Sequence, residues 1–455
     1  MLETELIKKY DVPGPRYTSY PTVPYWKNDG FSVDKWKENL LTTFAATNQS
    51  DGISIYIHLP YCESLCTFCA CHKRITKSHG VELPYIEAVL KEWHLYVSLF
   101  TEKPNIVEIH LGGGTPSFFA PEMLKLLIEG ILDDAYVRPE HEFSFEGHPN
   151  NTSFEHLETL YNLGFRRVSF GVQDYDPMVQ KAIHRIQPFE NVQKVTEFAR
   201  KIGYTSISHD LVFGLPFQQL SSIEDTVRKT LLLRPDRIAF YSYAHVPWIK
   251  GNGQRGFDEN NLPNGEQKRA LYEKGRELLE QNSYHEIGMD HFALAHDSMF
   301  IAQKKGTLHR NFMGYTTTQS KVLLGLGASS ISDSWTAFGQ NIKEVETYIE
   351  SLTQGELPIV KGHLLSDEDL FIRKQILNII CQLETSWKPE DWTEEEKEFI
   401  FDKLSDLESD GLICLENTGL KVSPKGKTFV RNICMVFDKY LKSYNTQEKL
   451  FSRTI

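Results

Sequence analysis

The stretch "LPYCESLCTFCACHK" (Leu59 to Lys73) places four of the chain's seven cysteines within ten residues. Three follow the spacing Cys62-x3-Cys66-x2-Cys69, and a fourth stands at Cys71. The segment directly follows "GISIYIHLP" (from Gly52), an apolar, β-branched run of strand length that ends at a proline. Two questions decide the fold: what the thiols hold, and what the strand belongs to.

Working outward, runs of the same kind recur. They are "NIVEIHLGGG" (from Asn105), "EFSFEGHP" (from Glu142), "RVSFGVQ" (from Arg167), "SISHDLVFGLP" (from Ser206) and "RIAFYSYAHVP" (from Arg237). Amphipathic helical stretches separate them; Ile86, Val89, Leu90, Trp93 and Val97 repeat at helical spacing. Thr152 to Glu155 and Ser221 to Glu224 have capping-box spacing, and Gly164 suits a helix end. Strand–helix alternation predicts right-handed crossovers and a parallel sheet. Six such units predict a curved or partly closed barrel rather than an open nucleotide-type sheet. Ligands of parallel α/β proteins bind at the carboxyl ends of the strands. The polar and glycine residues expected there are Tyr56, His58, the cysteine loop, Gly112 to Thr115, Glu146, Gln173, Asp210, Ala244 and His245.

The flanks differ. Residues 1–50 read as an irregular, aromatic-rich N-terminal arm, with "VPGPRYTSYPT" (Val12 to Thr22) restricted by its prolines to extended and turn conformations. An arm packed across the surface is the favoured reading, and a lid over an active site the alternative. The barrel with its extension is expected over 51–360. A polar stretch from Gly251 reads as a long loop within it. Residues 361–455 read as a mostly helical, winged-helix-like C-terminal domain: helices from Ser366 and Glu394, a strand pair turned at Asn417–Gly419, and a last helix with Pro424 in its first turn. Without a basic recognition helix it is expected to pack, not to read DNA.

Composition bounds the function. The chain has 455 residues, 40% hydrophobic and 24% charged, with a formal net charge of −12. That balance disfavours a nucleic-acid partner, which would need a basic face. No uncharged apolar run approaches the roughly 20 residues that span a bilayer. The first residues lack the apolar core of a secretory signal. The expected location is cytoplasmic, with no membrane attachment. In a reducing compartment clustered cysteines bind metal or do redox chemistry rather than form disulfides. Cys381, Cys414 and Cys434, scattered among apolar residues, read as buried small hydrophobes.

Three readings of the cluster compete. Structural zinc uses two ligand pairs separated by a longer loop; here one loop holds all four cysteines, and His72 and His79 are awkwardly placed to complete it. Four unliganded thiols are a second reading. The third is an iron–sulfur cluster held by closely spaced thiolates.

The spacing Cys62-x3-Cys66-x2-Cys69 after a first strand, followed by "GGGTP" (Gly112 to Pro116) after a second, resembles the radical S-adenosylmethionine superfamily. The segments "YDVPGPRYTSYPT", "LHRNFMGYTT" (from Leu308), "LGLGASSIS" (from Leu324), "RNICMVFD" (from Arg431) and "FSRTI" narrow the resemblance to the oxygen-independent coproporphyrinogen III oxidases of haem synthesis, across nearly the whole chain. "FEGHP" departs from that pattern: the family usually has an acidic residue near the position of His148. In "GGGTP" the glycines let backbone approach a ligand closely.

The resemblance implies a partial (β/α)6 radical-SAM barrel. It implies one [4Fe-4S] cluster on Cys62, Cys66 and Cys69, with the fourth iron open. It implies two S-adenosyl-L-methionine molecules. Tyr56, Gly113, Glu146 and Ile331 match contacts of the first; Phe68, Gly114, Thr115, Gln173, Arg185, Asp210 and Ala244 match contacts of the second. The implied reaction converts two propionates of coproporphyrinogen III to vinyls through a 5′-deoxyadenosyl radical, giving protoporphyrinogen IX. The expected catalytic residues are Cys71, Tyr56, His58 and Glu146. Arg16, His58, His309 and Arg310 are candidates to meet the substrate's carboxylates. A low-potential electron donor such as flavodoxin or ferredoxin is the implied partner of an expected monomer. The alternative is a haem-transfer relative without oxidase activity. That group lacks the fourth cysteine and the "RYTSYPT" arm, and this chain has both.

Overall fold

The computed structural model describes residues 3–27, 29–248, 253–254, 256–442 and 450–454. All six expected runs are strands: β1 (Ile53–Leu59), β2 (Asn105–Gly113), β3 (Tyr136–Gly147), β4 (Arg167–Gln173), β5 (Ser206–Phe213) and β6 (Arg237–Ser242). Each pairs in parallel with the next, so spatial order equals sequence order. Every crossover therefore steps the same way. A doubly wound sheet would reverse direction at a switch point; unbroken stepping is the pattern of a barrel.

The strands continue into a twelve-stranded sheet. Beyond β6 lies an antiparallel hairpin of β7 (Tyr284–Gly288) and β8 (His291–Leu294), with β8 against β6. On the other side, β9 (Val322–Leu326) pairs in parallel with β1, and β10 (Ile331–Asp333), β11 (Ala337–Asn341) and β12 (Ile359–Leu364) follow antiparallel. The sequence reading missed β9 as a seventh parallel strand. Its run "VLLGL" is short and uniformly buried, and such a run has no periodicity to mark it.

Side chains alternate across each strand. Ile53, Ile55, Ile57 and Leu59 of β1 join the main hydrophobic core with Ile109 and Leu111 of β2, Phe143 and Phe145 of β3, and Val168 and Phe170 of β4. The buried stripe Tyr85, Ile86, Val89, Trp93 and Tyr96 of the helix Glu82–Leu99 packs into the same core. The other parity (Tyr56, His58, His110, Glu146, Ser169) is left for the concave side.

Several expectations need correction. The first fifty residues are not wholly irregular: they contain the helices Glu3–Tyr10 and Val33–Thr47. The helix Phe154–Asn162 is capped by Ser153 with His156, not by Thr152 with Glu155. The Thr152 hydroxyl is already used, donating to the His148 carbonyl (3.0 Å) to close the preceding turn. The helix Leu220–Leu233 starts before Ser221, since Gln219 N–H donates to Ser222 Oγ (3.0 Å). Cys414 is exposed, because alternation along Ile413–Glu416 turns it away from buried Ile413. Cys381 and Cys434 are buried as expected. The polar loop from Gly251 lies partly outside the described residues.

After β12, which straddles position 360, come the helices Asp367–Gln382, Glu394–Ser409 and Val430–Phe437 with a three-stranded sheet of Glu384–Ser386, Ile413–Glu416 and Gly419–Val422. Pro424 precedes a 3-10 turn, Gly426–Phe429, rather than opening the last helix. The chain's two ends meet here: Thr454 N–H donates to the Val12 carbonyl (2.9 Å) and Gly14 N–H to the Ser452 carbonyl (3.1 Å). Arg431 donates to the carbonyls of Gly14, Pro15, Arg453 and Thr454. Among the described residues no helix is long and apolar enough to cross a membrane.

One buried acid ties the helix side of the barrel to the segment before β10. Glu92 accepts from Gly327 N–H (2.8 Å), Tyr348 Oη (2.6 Å) and Asn341 Nδ2 (2.6 Å). Burial pushes its carboxyl up to about 7 despite these donors. The folded value lies above the unfolded one, so its contribution is complete below about pH 4.5 and is lost as pH rises through about 7. Urea unfolding from pH 5 to 8 is therefore predicted to show wild type losing on the order of 2–3 kcal/mol relative to Glu92→Gln. A pH-independent difference would contradict that assignment.

Candidate active site

At the carboxyl ends of β1–β6 lies a cavity of about 650 Å³, a size suited to small-molecule ligands. Each strand sends one set of residues to it. Cys62, Cys66, Phe68, Cys69 and Cys71 follow β1, and Gly113, Gly114 and Thr115 follow β2. Glu146 and His148 come from β3, Gln173 and Arg185 from β4 and the segment after it, Asp210 from β5, and Tyr241 to Ala244 from β6. Arg16 of the arm joins them. Tyr56, His58 and Ile331 stand behind this lining.

The cysteine loop is fixed by its backbone. Arg74 N–H donates to the Pro60 carbonyl (2.7 Å), Thr76 N–H to that of Cys62 (2.9 Å), and Thr67 N–H to that of Ile183 (3.0 Å). Gln254, almost fully buried, donates from Nε2 to the carbonyls of both Phe68 (3.0 Å) and Ala244 (2.9 Å), joining the loops after β1 and β6. Within the loop, Cys62 Sγ lies 3.3 Å from Thr115 Oγ1, and Arg185 Nη1 lies 3.9 Å from Cys66 Sγ. Burial pushes the Cys62 thiol up to about 11. The neighbouring Cys71 thiol holds Cys69 down at about 6 and is itself raised in return.

The glycine segment lies against this loop. Gly114 N–H donates to the Leu59 carbonyl (2.8 Å) and Thr115 N–H to that of Tyr61 (3.0 Å). A Cβ on Gly114 would stand 2.6 Å from the Pro60 carbonyl carbon. Gly113 has φ +111, and a Cβ there would meet the His58 ring at 2.6 Å. His58 is fully engaged: Nε2 donates to the His72 carbonyl (3.0 Å), so neutral Nδ1 accepts from Tyr56 Oη (3.0 Å). Burial holds this imidazole down at about 4. Ile331 stands close to Tyr56 through the sheet, since Tyr56 pairs with Gly325, over which the Ile331 backbone packs.

Opposite charges converge across the cavity. Glu146 Oε1 lies 3.5 Å from His110 Nε2. Asp210 accepts from Ser169 Oγ (2.7 Å). Burial, then the charge of Glu146, raises its carboxyl to about 7. Arg185 Nη2 donates to the Gly171 carbonyl (2.6 Å), while its buried Nε has no partner. Gln173 reaches the cavity from a left-handed conformation (φ 67) at a bulge in β4. His148 accepts from Asn150 N–H at Nδ1 (3.2 Å), which leaves Nε2 carrying the proton. Burial, then Arg185, pushes it down to about 2. His309 sits elsewhere, beside Asp333 and Arg373.

This donor set fits an iron–sulfur cluster with an amino-acid-bearing cofactor. Three half-buried thiols face one cavity. Beside them are a glycine cradle that a Cβ would fill and a guanidinium with an unused N–H. Among the described residues no three His, Cys, Asp or Glu side chains converge closely enough for a single metal ion. A polynuclear cluster takes each thiolate at a different iron and needs no such convergence. Gln254, Thr67, Ser169, His110 and Tyr241 were missed from sequence. Gln254 lies in a polar loop whose composition gives no hint that one amide is buried. Ser169 and His110 were legible as the inward parity of strands already identified.

A family model described as the radical SAM superfamily matches residues 56–230. The oxygen-independent coproporphyrinogen III oxidase of Helicobacter pylori strain J99 is 37% identical, over 100% of this chain and 99% of the relative. That of Pseudomonas aeruginosa is 37% identical over 100% and 98%. That of Escherichia coli K12 is 34% identical over 99% and 98%. The solved structure of the Escherichia coli coproporphyrinogen III oxidase, described as a radical SAM enzyme, superposes with a TM-score of 0.88 at 32% identity, covering 97% of this chain and 99% of that one.

The cradle can be tested without substrate. Gly114→Ala drives a Cβ into backbone that cannot move aside, so it is predicted to displace the cysteine loop. Reconstituted protein should hold less than half the wild-type iron, while far-UV circular dichroism is retained. Full iron content would show that the close approach is not needed.

Proposed function

This chain belongs to the oxygen-independent coproporphyrinogen III oxidase family of the radical SAM superfamily, and from that membership we propose how its residues share the work. Its reaction is the oxygen-independent oxidative decarboxylation of two propionates of coproporphyrinogen III to vinyls, giving protoporphyrinogen IX. It uses a [4Fe-4S] cluster and S-adenosyl-L-methionine. When bound, these would supply the radical chemistry that removes one hydrogen atom from a propionate β-carbon, so that loss of carbon dioxide and of one electron to an acceptor leaves the vinyl double bond.

Cys62, Cys66 and Cys69 hold the cluster, and no fourth protein ligand closes it. What supports this most is the convergence of those thiols, the Gly113–Thr115 cradle and the charges of Glu146, Arg185 and Asp210 on one cavity. Two S-adenosylmethionine molecules bind there. Tyr56, Gly113, Glu146 and Ile331 hold the first, with Glu146 accepting from its ammonium. Phe68, Gly114, Thr115, Gln173, Arg185, Asp210 and Ala244 hold the second, with Arg185 pairing its carboxylate. His58, neutral and bonded on both nitrogens, orients Tyr56 rather than moving a proton. Arg16, brought to the rim by the Arg431 clamp on Gly14 and Pro15, faces the substrate's carboxylates. The protein works as a cytoplasmic monomer with a low-potential donor such as flavodoxin or ferredoxin.

Anaerobic incubation of reduced, reconstituted protein with S-adenosylmethionine and coproporphyrinogen III is expected to yield protoporphyrinogen IX and 5′-deoxyadenosine. Haem binding without turnover would favour the haem-transfer alternative instead. Cys71 is outside the three-ligand set, yet its thiol adjoins Cys69 and holds that thiol down. Cys71→Ser is predicted to assemble the cluster with wild-type iron content and to lose at least a hundredfold in turnover. Normal turnover, or failure to assemble the cluster, would refute that role.

A further inference from the structure

Gln254 is 1% exposed although it comes from a polar loop. Burying an amide is unfavourable unless its hydrogen bonds are made, and here three backbone groups make them. Oε1 accepts from Val246 N–H (2.6 Å), and Nε2 donates to the carbonyls of Phe68 (3.0 Å) and Ala244 (2.9 Å). The segment also lies directly on the cysteine loop: a Cβ on Gly253 would stand 2.8 Å from Thr67 Cα.

The two loops that this amide joins are not joined by the sheet. β1 and β6 are separated by β2 to β5 in the strand order, so no ladder sets the distance between their ends. A brace between neighbouring strands would add little to what the ladder already fixes; this one spans the cavity mouth. The Phe68 carbonyl belongs to the peptide that carries the Cys69 N–H. That N–H donates to the Cys66 carbonyl (3.3 Å). One peptide plane is thus held from within the cysteine turn at one end and by Gln254 at the other. Phe68 and Ala244 both line the catalytic cavity. The Phe68 ring packs against Val179, Ile183, Val212, Leu215 and Tyr243, of which Val212 and Tyr243 also line the cavity. Tyr56, Gly113 and Glu146 differ. They sit within the ladders of β1, β2 and β3, and the sheet itself places them.

We propose that Gln254 is a positioning residue for the second S-adenosylmethionine: its amide sets Phe68 and Ala244 against each other and so shapes that site, while the first site is set by the sheet. The proposal rests on the two-cofactor reading above. A brace that served only the cysteine loop would fail differently. Its removal would loosen the loop and release the cluster, and the test separates the two roles.

Reconstituted full-length wild type, Gln254→Met and Gln254→Asn are compared anaerobically. Methionine matches the side chain in length without its amide; asparagine keeps the amide but is one methylene too short to span both carbonyls. With the cluster oxidised, equilibrium dialysis counts bound radiolabelled S-adenosylmethionine. In reduced, rapidly frozen protein, the change in the cluster's electron paramagnetic resonance signal reports the first molecule alone. Wild type is expected to bind two. Gln254→Met should keep wild-type iron content and the wild-type midpoint of the resonance change, while its second molecule binds on the order of tenfold more weakly. Gln254→Asn should fall between the two. Two molecules bound with wild-type affinity by Gln254→Met overturn the proposal. So does loss of iron or of the first molecule, which would make Gln254 a support of the cysteine loop. If Gln254→Met does not fold, wild-type binding by Gln254→Asn overturns the proposal without it. A wild type that binds one molecule defeats the two-cofactor reading, and the proposal falls with it. Two sites in wild type with an indifferent Gln254 defeat only the positioning role.

Discussion

In a parallel sheet whose strands step in sequence order, one parity of side chains packs under the helices and the other must fill the concave side. That constraint settles most of this molecule. Ile53, Ile55, Ile57 and Leu59 go to the core, so Tyr56 and His58 are turned inward beside His110, Glu146 and Ser169. Because the strands are parallel, all of their carboxyl ends lie at the same edge. Residues more than 180 positions apart, such as Cys62 and Ala244, therefore meet at one cavity. The chemistry is gathered by register rather than by local sequence.

The inward face is polar, and the burial of several of its groups has an electrostatic consequence. Asp210 is raised to about 7 by burial and by Glu146, while His58 and His148 are held neutral. Without a ligand these groups are poorly solvated, and Arg185 keeps an unpaired N–H group. A bound zwitterion with ammonium and carboxylate ends would answer the Glu146, Asp210 and Arg185 set. Such mismatches collect at ligand sites because binding relieves them. By contrast the backbone of the arm is held by Arg431 and by its ladder to residues 452–454.

Much of this was legible in the sequence, for identifiable reasons. The six runs had strand length and clear ends, and the cysteine spacing is tight enough to limit what it can hold. The Gly113–Gly114 pair could be located but not its geometry. That depends on Pro60 and the His58 ring, which only the pairing of β1 with β2 brings close. Helix starts were misjudged at Thr152 and Ser221 because several hydroxyls competed and local backbone bonds chose among them. Strand β9 was hidden by its lack of alternation. Gln254 drew meaning only from burial, which no local pattern encodes. Cys414 was misread because alternation in a short strand outweighs the average preference of cysteine for the interior.

If Cys62, Cys66 and Cys69 alone hold the cluster, one iron is left open to the amino and carboxylate groups of S-adenosylmethionine. The most direct test is electron–nuclear double resonance on the reduced, reconstituted protein with S-adenosylmethionine labelled with ¹⁷O in its carboxylate and ¹⁵N in its amino group. Hyperfine coupling of both labels to the cluster is predicted, with three cysteines sufficient to hold four irons. Cofactor bound without any such coupling would contradict the open-iron account.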